Sequence, residues 1–143
     1  MIKSAGIVVI RFSSGRPLFL LLRIWKYWEF PKGRVENNEN CLMTAIRETY
    51  EEASIKEEEL NFKWGLDSYI TSPYNGYQGK KIAEYFIAET ARKFIELPIS
   101  KELGKPEHDE FRWVHYEEGQ RLTNYRIGNV LKWAHNKIQD KKK

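Results

Sequence analysis

Gly33-Arg34-Val35-Glu36-Asn37-Asn38-Glu39, followed after seven residues by Arg47-Glu48-Thr49-Tyr50-Glu51-Glu52-Ala53-Ser54-Ile55, is the stretch on which the reading of this chain turns. It sets a glycine loop ahead of a helix crowded with carboxylates. Glu48, Glu51 and Glu52 stand at i, i+3 and i+4, so a helix turns all three to one face. Like charges at that spacing repel. A hard divalent cation removes the conflict, because it takes carboxylate oxygens and leaves positions for water and substrate phosphates. A solvated acidic face, paired through Arg47 and Lys56, is the alternative that the charges alone allow.

Outward from this stretch, Leu42, Ala45, Ile46, Thr49 and Ala53 recur at helical spacing and predict a helix over 40–53 with a core face. Upstream, Ile7-Val8-Val9-Ile10 and the apolar run over 18–24 read as buried strands, separated by Ser13-Ser14-Gly15. Tyr27-Trp28-Glu29-Phe30-Pro31-Lys32 reads as an aromatic segment entering a loop, since Pro31 opposes a continuing central strand. Downstream, 62–71 and 81–89 read as two strands joined by a loop rich in tyrosine and glycine, and 111–115 as another. Ile127, Val130, Leu131, Ala134 and Ile138 mark a closing amphipathic helix. Mixed strands with two helices suggest a layered α/β or α+β domain.

The length of 143 residues fits one domain, expected over 1–140 with a basic tail at 141–143. The net charge of +4 owes three of its charges to Lys141, Lys142 and Lys143, so the body is nearly neutral and the tail reads as a solvated end. No apolar run approaches the ~18 residues of a membrane span, and the N-terminus lacks a signal-peptide layout. The single cysteine, Cys41, excludes an intramolecular disulfide. A cytoplasmic setting is therefore the expectation, with no membrane partner. Trp25, Trp64, Trp113 and Trp133 read as packing residues.

The glycine–carboxylate stretch resembles the Nudix box: glycine, five residues, glutamate, seven residues, then Arg-Glu-aliphatic-any-Glu-Glu-any-Gly-aliphatic. Gly33, Glu39, Arg47, Glu48, Glu51 and Glu52 all fall in register. Chance gives such a match on the order of once in 10⁴ sequences. Thr49 departs where an aliphatic residue is usual, and Ser54 where the second glycine is usual. A positive φ at that helix end would cost a serine ~1 kcal/mol. The resemblance implies an α/β fold, a Nudix-type α/β/α sandwich with a central mixed sheet, and hydrolysis of a nucleoside diphosphate linked to another moiety. It implies Mg²⁺ or Mn²⁺ held by Glu48, Glu51, Glu52 and the Gly33 carbonyl. Arg47 would brace the glutamates, and Glu39 would orient the loop–helix junction.

The flanks are similar to a narrower set. Trp28-Glu29-Phe30-Pro31-Lys32-Gly33 and Glu107-His108-Asp109-Glu110-Phe111-Arg112-Trp113 look like segments of diadenosine tetraphosphate hydrolases, and the first also looks like RNA 5′-pyrophosphohydrolases. That likeness makes Glu107 a further metal ligand or general base, with the base open among Glu51, Glu52 and Glu107. Tyr77 and Lys81 are the expected base-stacking and phosphate-binding residues, with Lys32 and Arg23 near the box. Tyr125 could form a second wall for the base or pack at a helix start. Tyr85, within a strand, reads as packing. His108 lacks metal-ligand spacing with His115 or His135. The implied reaction is asymmetric cleavage of diadenosine tetraphosphate to ATP and AMP. The alternatives are pyrophosphate removal from an RNA 5′ end and a non-catalytic nucleotide-binding domain. The oligomeric state is not legible.

Overall fold

Two long apolar runs dictate the centre of the molecule. The computed structural model describes residues 1–142, without the side chains of residues 141 and 142. Strand β1 (Ile2–Ser13) and strand β7 (Gly79–Glu89) run parallel, from Ile2 opposite Lys81 to Ile10 opposite Glu89. Such strands are buried on both faces, which is why they read as continuous apolar runs rather than alternating ones. Ile7 and Val9 point to one core, Val8 and Ile10 to the other.

Around this pair the other strands are antiparallel: β2 (Arg16–Ile24) on β1, β3 (Tyr27–Glu29) and β8 (Glu110–Val114) on β2, and β4 (Lys32–Arg34) on β1. The short strands β5 (Tyr69–Ile70) and β6 (Tyr74–Gly76) both pair with β7. Helix α1 (Cys41–Ala53) covers one face through Ala45 and Ala53. Helix α3 (Tyr125–Lys142) covers the other through Ile127, Val130, Leu131, Ala134 and Ile138, beside the short α2 (Tyr116–Leu122). The result is the α/β/α sandwich with a mixed sheet that the resemblance implied. The backbone of α3 runs into the expected basic tail; the tail's charged side chains and Lys143 lie outside the described residues. No helix among the described residues is long and apolar enough to cross a membrane.

Several local expectations are corrected. The segment 27–33 is not a loop but two short strands broken at Phe30 and Pro31. The strand expected over 62–71 shrinks to Tyr69–Ile70, because Gly65 turns at a φ of 89° and its N–H bonds the Phe62 carbonyl. The Asp67 and Ser68 side chains bond Lys137 and Glu84, outside any ladder. Helix α2 contains Gly119, which argues against a helix in sequence; a Cβ there would lie 2.6 Å from Leu131, so close contact with α3 selects it. Trp25 does not pack into a core. It sits 68% exposed in the β2–β3 turn at a φ of 57°, edge-on to Tyr27. Tyr85 is core, edge-on to Phe30 at 5.6 Å.

The two departures from the box have local explanations. Thr49 is buried and its hydroxyl donates to the Ala45 carbonyl at 2.7 Å, so a polar atom rides inside an apolar face without loss. Ser54 ends α1 in the left-handed region at φ 59°, its N–H bonding the Tyr50 carbonyl. Ser54→Gly is therefore expected to stabilise the protein by ~1 kcal/mol. Thermal unfolding should show a rise of about 3 °C; an unchanged or lower midpoint would show that the serine is not strained.

Candidate active site

Strand β4, which carries Gly33, and the start of α1 are tied together by Glu39 and Arg47. Asn40 caps the helix, its Oδ1 accepting the Met43 N–H at 2.9 Å. Glu39 accepts from Arg47 Nε at 2.6 Å, from Arg47 Nη2 at 2.9 Å and from the Thr44 hydroxyl at 2.7 Å. The Arg47 hydrogen bond, then that of Thr44, holds the Glu39 carboxyl down at about 2. The same guanidinium donates to the Arg34 carbonyl at 3.1 Å, to Glu48 at 2.6 Å and to Glu51 at 3.1 Å. One planar fork thus fixes both loop and helix, a geometry lysine cannot reproduce.

Glu48 lies directly against the Gly33 backbone, where a Cβ would overlap its carboxylate. Burial, then the charge of Glu51, pushes its carboxyl up to about 7, against the pull of Arg47. Glu52 accepts the Lys32 backbone N–H at 3.0 Å. Burial first, and the facing Glu107 carboxyl second, push Glu52 well above the usual range. Glu52, Glu107 and His108 bring ligand atoms within 4.8 Å of one another. His108 is 2% exposed, with Nε2 3.3 Å from Glu29 Oε1 and Nδ1 3.9 Å from Glu107 Oε2. Buried carboxylates gathered around their own like charges need an external positive charge to ionise together. This oxygen-rich donor set suits a hard divalent ion.

The carboxylates line a cleft of about 720 Å³ whose far wall is the loop bearing Leu97, Pro98, Ile99 and Lys101. Among the residues expected from sequence, Glu48, Glu51, Glu52 and Glu107 meet in this cleft. Gly33 backs Glu48, Arg47 braces it, and Lys32 Nζ lies 3.9 Å from Glu29. Arg23 packs over Trp28 and pairs with Glu110 at 3.3 Å, and its carbonyl accepts the Asp109 N–H at 2.7 Å. It thereby holds the loop that presents Glu107. Tyr77 stands at the β6–β7 tip, 99% exposed, and the Lys81 side chain runs past Gly76. Tyr125, 87% exposed, lines a separate cleft of about 190 Å³ with Tyr69, Tyr74, Arg126 and Asn129. The sequence reading passed over Glu29 and Arg126. Glu29 sits inside the quoted aromatic segment, but only the fold brings it to His108.

This sheet, with a braced glutamate helix against a glycine loop, defines a Nudix hydrolase. The Nudix domain family matches residues 2–134, and the chain belongs to that family, whose enzymes act on phosphoanhydride bonds and generally need a divalent metal. The chain is similar to an asymmetrical bis(5′-nucleosyl)-tetraphosphatase of Caenorhabditis elegans, 31% identical over 136 residues, covering 92% of this chain and 93% of that one. It is also similar to an RNA pyrophosphohydrolase of Bartonella bacilliformis, 30% identical over 134 residues, covering 80% and 78%. Its fold superposes on a crystal structure of a C. elegans Ap4A hydrolase binary complex with a TM-score of 0.78 and 26% identity, over 98% of this chain and 96% of that one.

Metal binding should be linked to pH through Glu48. Its folded-state value near 7 lies above the ordinary 4.5. Between those values the folded chain holds a proton that the unfolded chain has lost, so metal-free stability falls as pH rises through this window. A divalent ion bound beside Glu48 would take the proton's place. Its stabilising effect should therefore grow between about pH 5 and pH 8. Thermal midpoints in Mg²⁺ and in EDTA test this, and a gap independent of pH would contradict it.

Proposed function

We propose that the protein cleaves dinucleoside polyphosphates asymmetrically, converting diadenosine tetraphosphate to ATP and AMP. The observation that carries this reading is the convergence of Glu107 on the box glutamate Glu52, in a cleft of about 720 Å³ that Glu48 and Glu51 also line. The near full-length likeness to the C. elegans tetraphosphatase supports it.

Glu48, Glu51, Glu52, Glu107 and the Gly33 carbonyl would hold Mg²⁺ or Mn²⁺. Such an ion neutralises phosphate oxygens and makes water a better nucleophile. Around it, the chain's own groups supply placement and proton transfer. Water attacks phosphorus, the bond from that phosphorus to the departing nucleotide's oxygen breaks, and the Glu52–Glu107 pair accepts the proton released by the water. Lys32 and Lys81 carry phosphate charge, and Arg23 steadies the Glu107 loop. Tyr77 and Tyr125 offer faces on which a base can stack, at ~1–3 kcal/mol each.

A second reading, removal of pyrophosphate from an RNA 5′ end, is favoured by the Bartonella relative. Incubation with Mg²⁺ and diadenosine tetraphosphate, beside a 5′-triphosphorylated RNA, separates the two. ATP and AMP in equal amounts, with the RNA intact, is the expected result. Pyrophosphate or phosphate released from the RNA, with the dinucleotide spared, would overturn the first reading for the second.

A further inference from the structure

Arg126 is a partly buried arginine that makes no direct ion pair among the described residues. Its guanidinium carbon lies 3.9 Å over the Tyr74 ring, and its Nε is buried without a hydrogen-bond partner. Among the described residues, no carboxylate oxygen comes within 4.0 Å of it. Arg23, Arg47, Arg92 and Arg112, also partly buried, each meet a carboxylate. Stacking satisfies the face of a guanidinium but not the N–H groups at its edge, which prefer a planar or tetrahedral oxyanion.

We propose that Arg126 binds a phosphate group of the nucleotide whose base enters the Tyr74–Tyr125 cleft. This rests on the nucleotide-hydrolase reading above. At the helix start, Asn124 takes the Ile127 N–H through Oδ1 at 2.9 Å and the Gly128 N–H through its carbonyl at 2.8 Å, so these two donors are already committed. Arg126 lines this cleft beside Tyr125, Ser72 and Asn129.

The position of Arg126 suits a phosphate chain bound for the carboxylates. Its charge reaches Glu29, which sits under His108 and so under Glu107. Burial pushes the Glu29 carboxyl up, but the His108 hydrogen bond, Lys32 and Arg126 together hold it below the usual range. The same arginine opposes the upward push of burial on the buried Tyr85 hydroxyl. A base seated in the aromatic cleft, with its reacting phosphorus at the Glu52–Glu107 pair, would thread its phosphates past this guanidinium. A bidentate contact there replaces the missing counter-charge.

Binding of AMP and of adenosine to the full chain without metal, followed by intrinsic fluorescence, tests the assignment. Wild type should bind AMP at least about 10-fold more tightly than adenosine, as a charged hydrogen-bond pair implies. Arg126→Gln should erase that difference while adenosine affinity stays within about twofold, and Arg126→Lys should keep part of it. A variant that keeps the wild-type preference for AMP overturns the proposal. So does equal loss of AMP and adenosine, which marks a packing role, and so does a wild type that does not prefer AMP. Failure of the broader reading looks different: no dinucleoside polyphosphate is cleaved, while the Arg126-dependent preference for AMP persists.

Discussion

Glu52→Gln is expected to lower kcat by about 10³-fold, the range lost when a positioned acid–base group is removed, and at the same time to raise the stability of the metal-free protein. The two effects share one cause. Glu52 is buried against Glu107, and its ionisation is opposed first by desolvation and then by that neighbour. A glutamine keeps the oxygen that accepts the Lys32 N–H at 3.0 Å and can donate to Glu107. It removes the charge that the proposed chemistry needs and whose formation burial and Glu107 oppose. In EDTA near pH 8 the melting temperature should rise by about 3 °C, as ~1 kcal/mol gives a domain of this size. The gain should shrink near pH 5, where wild-type Glu52 is already protonated in the fold, since a raised carboxylate value lowers stability only as pH climbs. Wild-type turnover in the variant would remove Glu52 from the mechanism. Lost activity with a lower melting temperature would recast it as a structural residue.

Gly33→Ala is expected to cost about 10²-fold in kcat, the scale of a small misplacement of catalytic groups, with a stability change under ~1 kcal/mol. The β4 backbone at Gly33 does not require a positive φ, so alanine can adopt it. The added methyl would occupy the space of the Glu48 carboxylate. That carboxylate is the free end of a flexible side chain, so it moves aside cheaply and the fold survives. Its bond to Arg47 at 2.6 Å is lost, and with it the proposed metal ligand. Mn²⁺ titration should show weakened affinity in a protein that melts almost normally. Unaltered Mn²⁺ affinity would mean that Glu48 has room to return, and a large fall in melting temperature would mean that the backbone, not the carboxylate, gives way.

Much of this protein was legible in its sequence. The box residues announced themselves because metal binding needs fixed residue types at fixed helical spacing, and spacing within one helix survives in the linear order. Helix α1, its Asn40 cap and the positive φ at Ser54 follow from local rules. Strand β1 was visible as a buried apolar run, since burial on both faces suppresses alternation, and β7 as a strand over 81–89, but their parallel pairing was not, because nothing local to either strand names its neighbour. The short strands and α2 were not visible, because pairing partners and the contact of Gly119 with Leu131 come from elsewhere in the chain.

What the sequence by itself determined is therefore the family, the box glutamates and their brace, because each depends on contacts a few residues apart. The likeness of the flanks pointed to Glu107, but only the tertiary structure decided that buried His108 joins it beside Glu52 and rests on Glu29, across a gap of more than fifty residues. It alone stacked Arg126 on Tyr74 and left that charge without a carboxylate. The physical reason is that distance along the chain does not encode distance in space: long-range neighbours are set by how the sheet and its helices pack, and the environment of a charge exists only once they have.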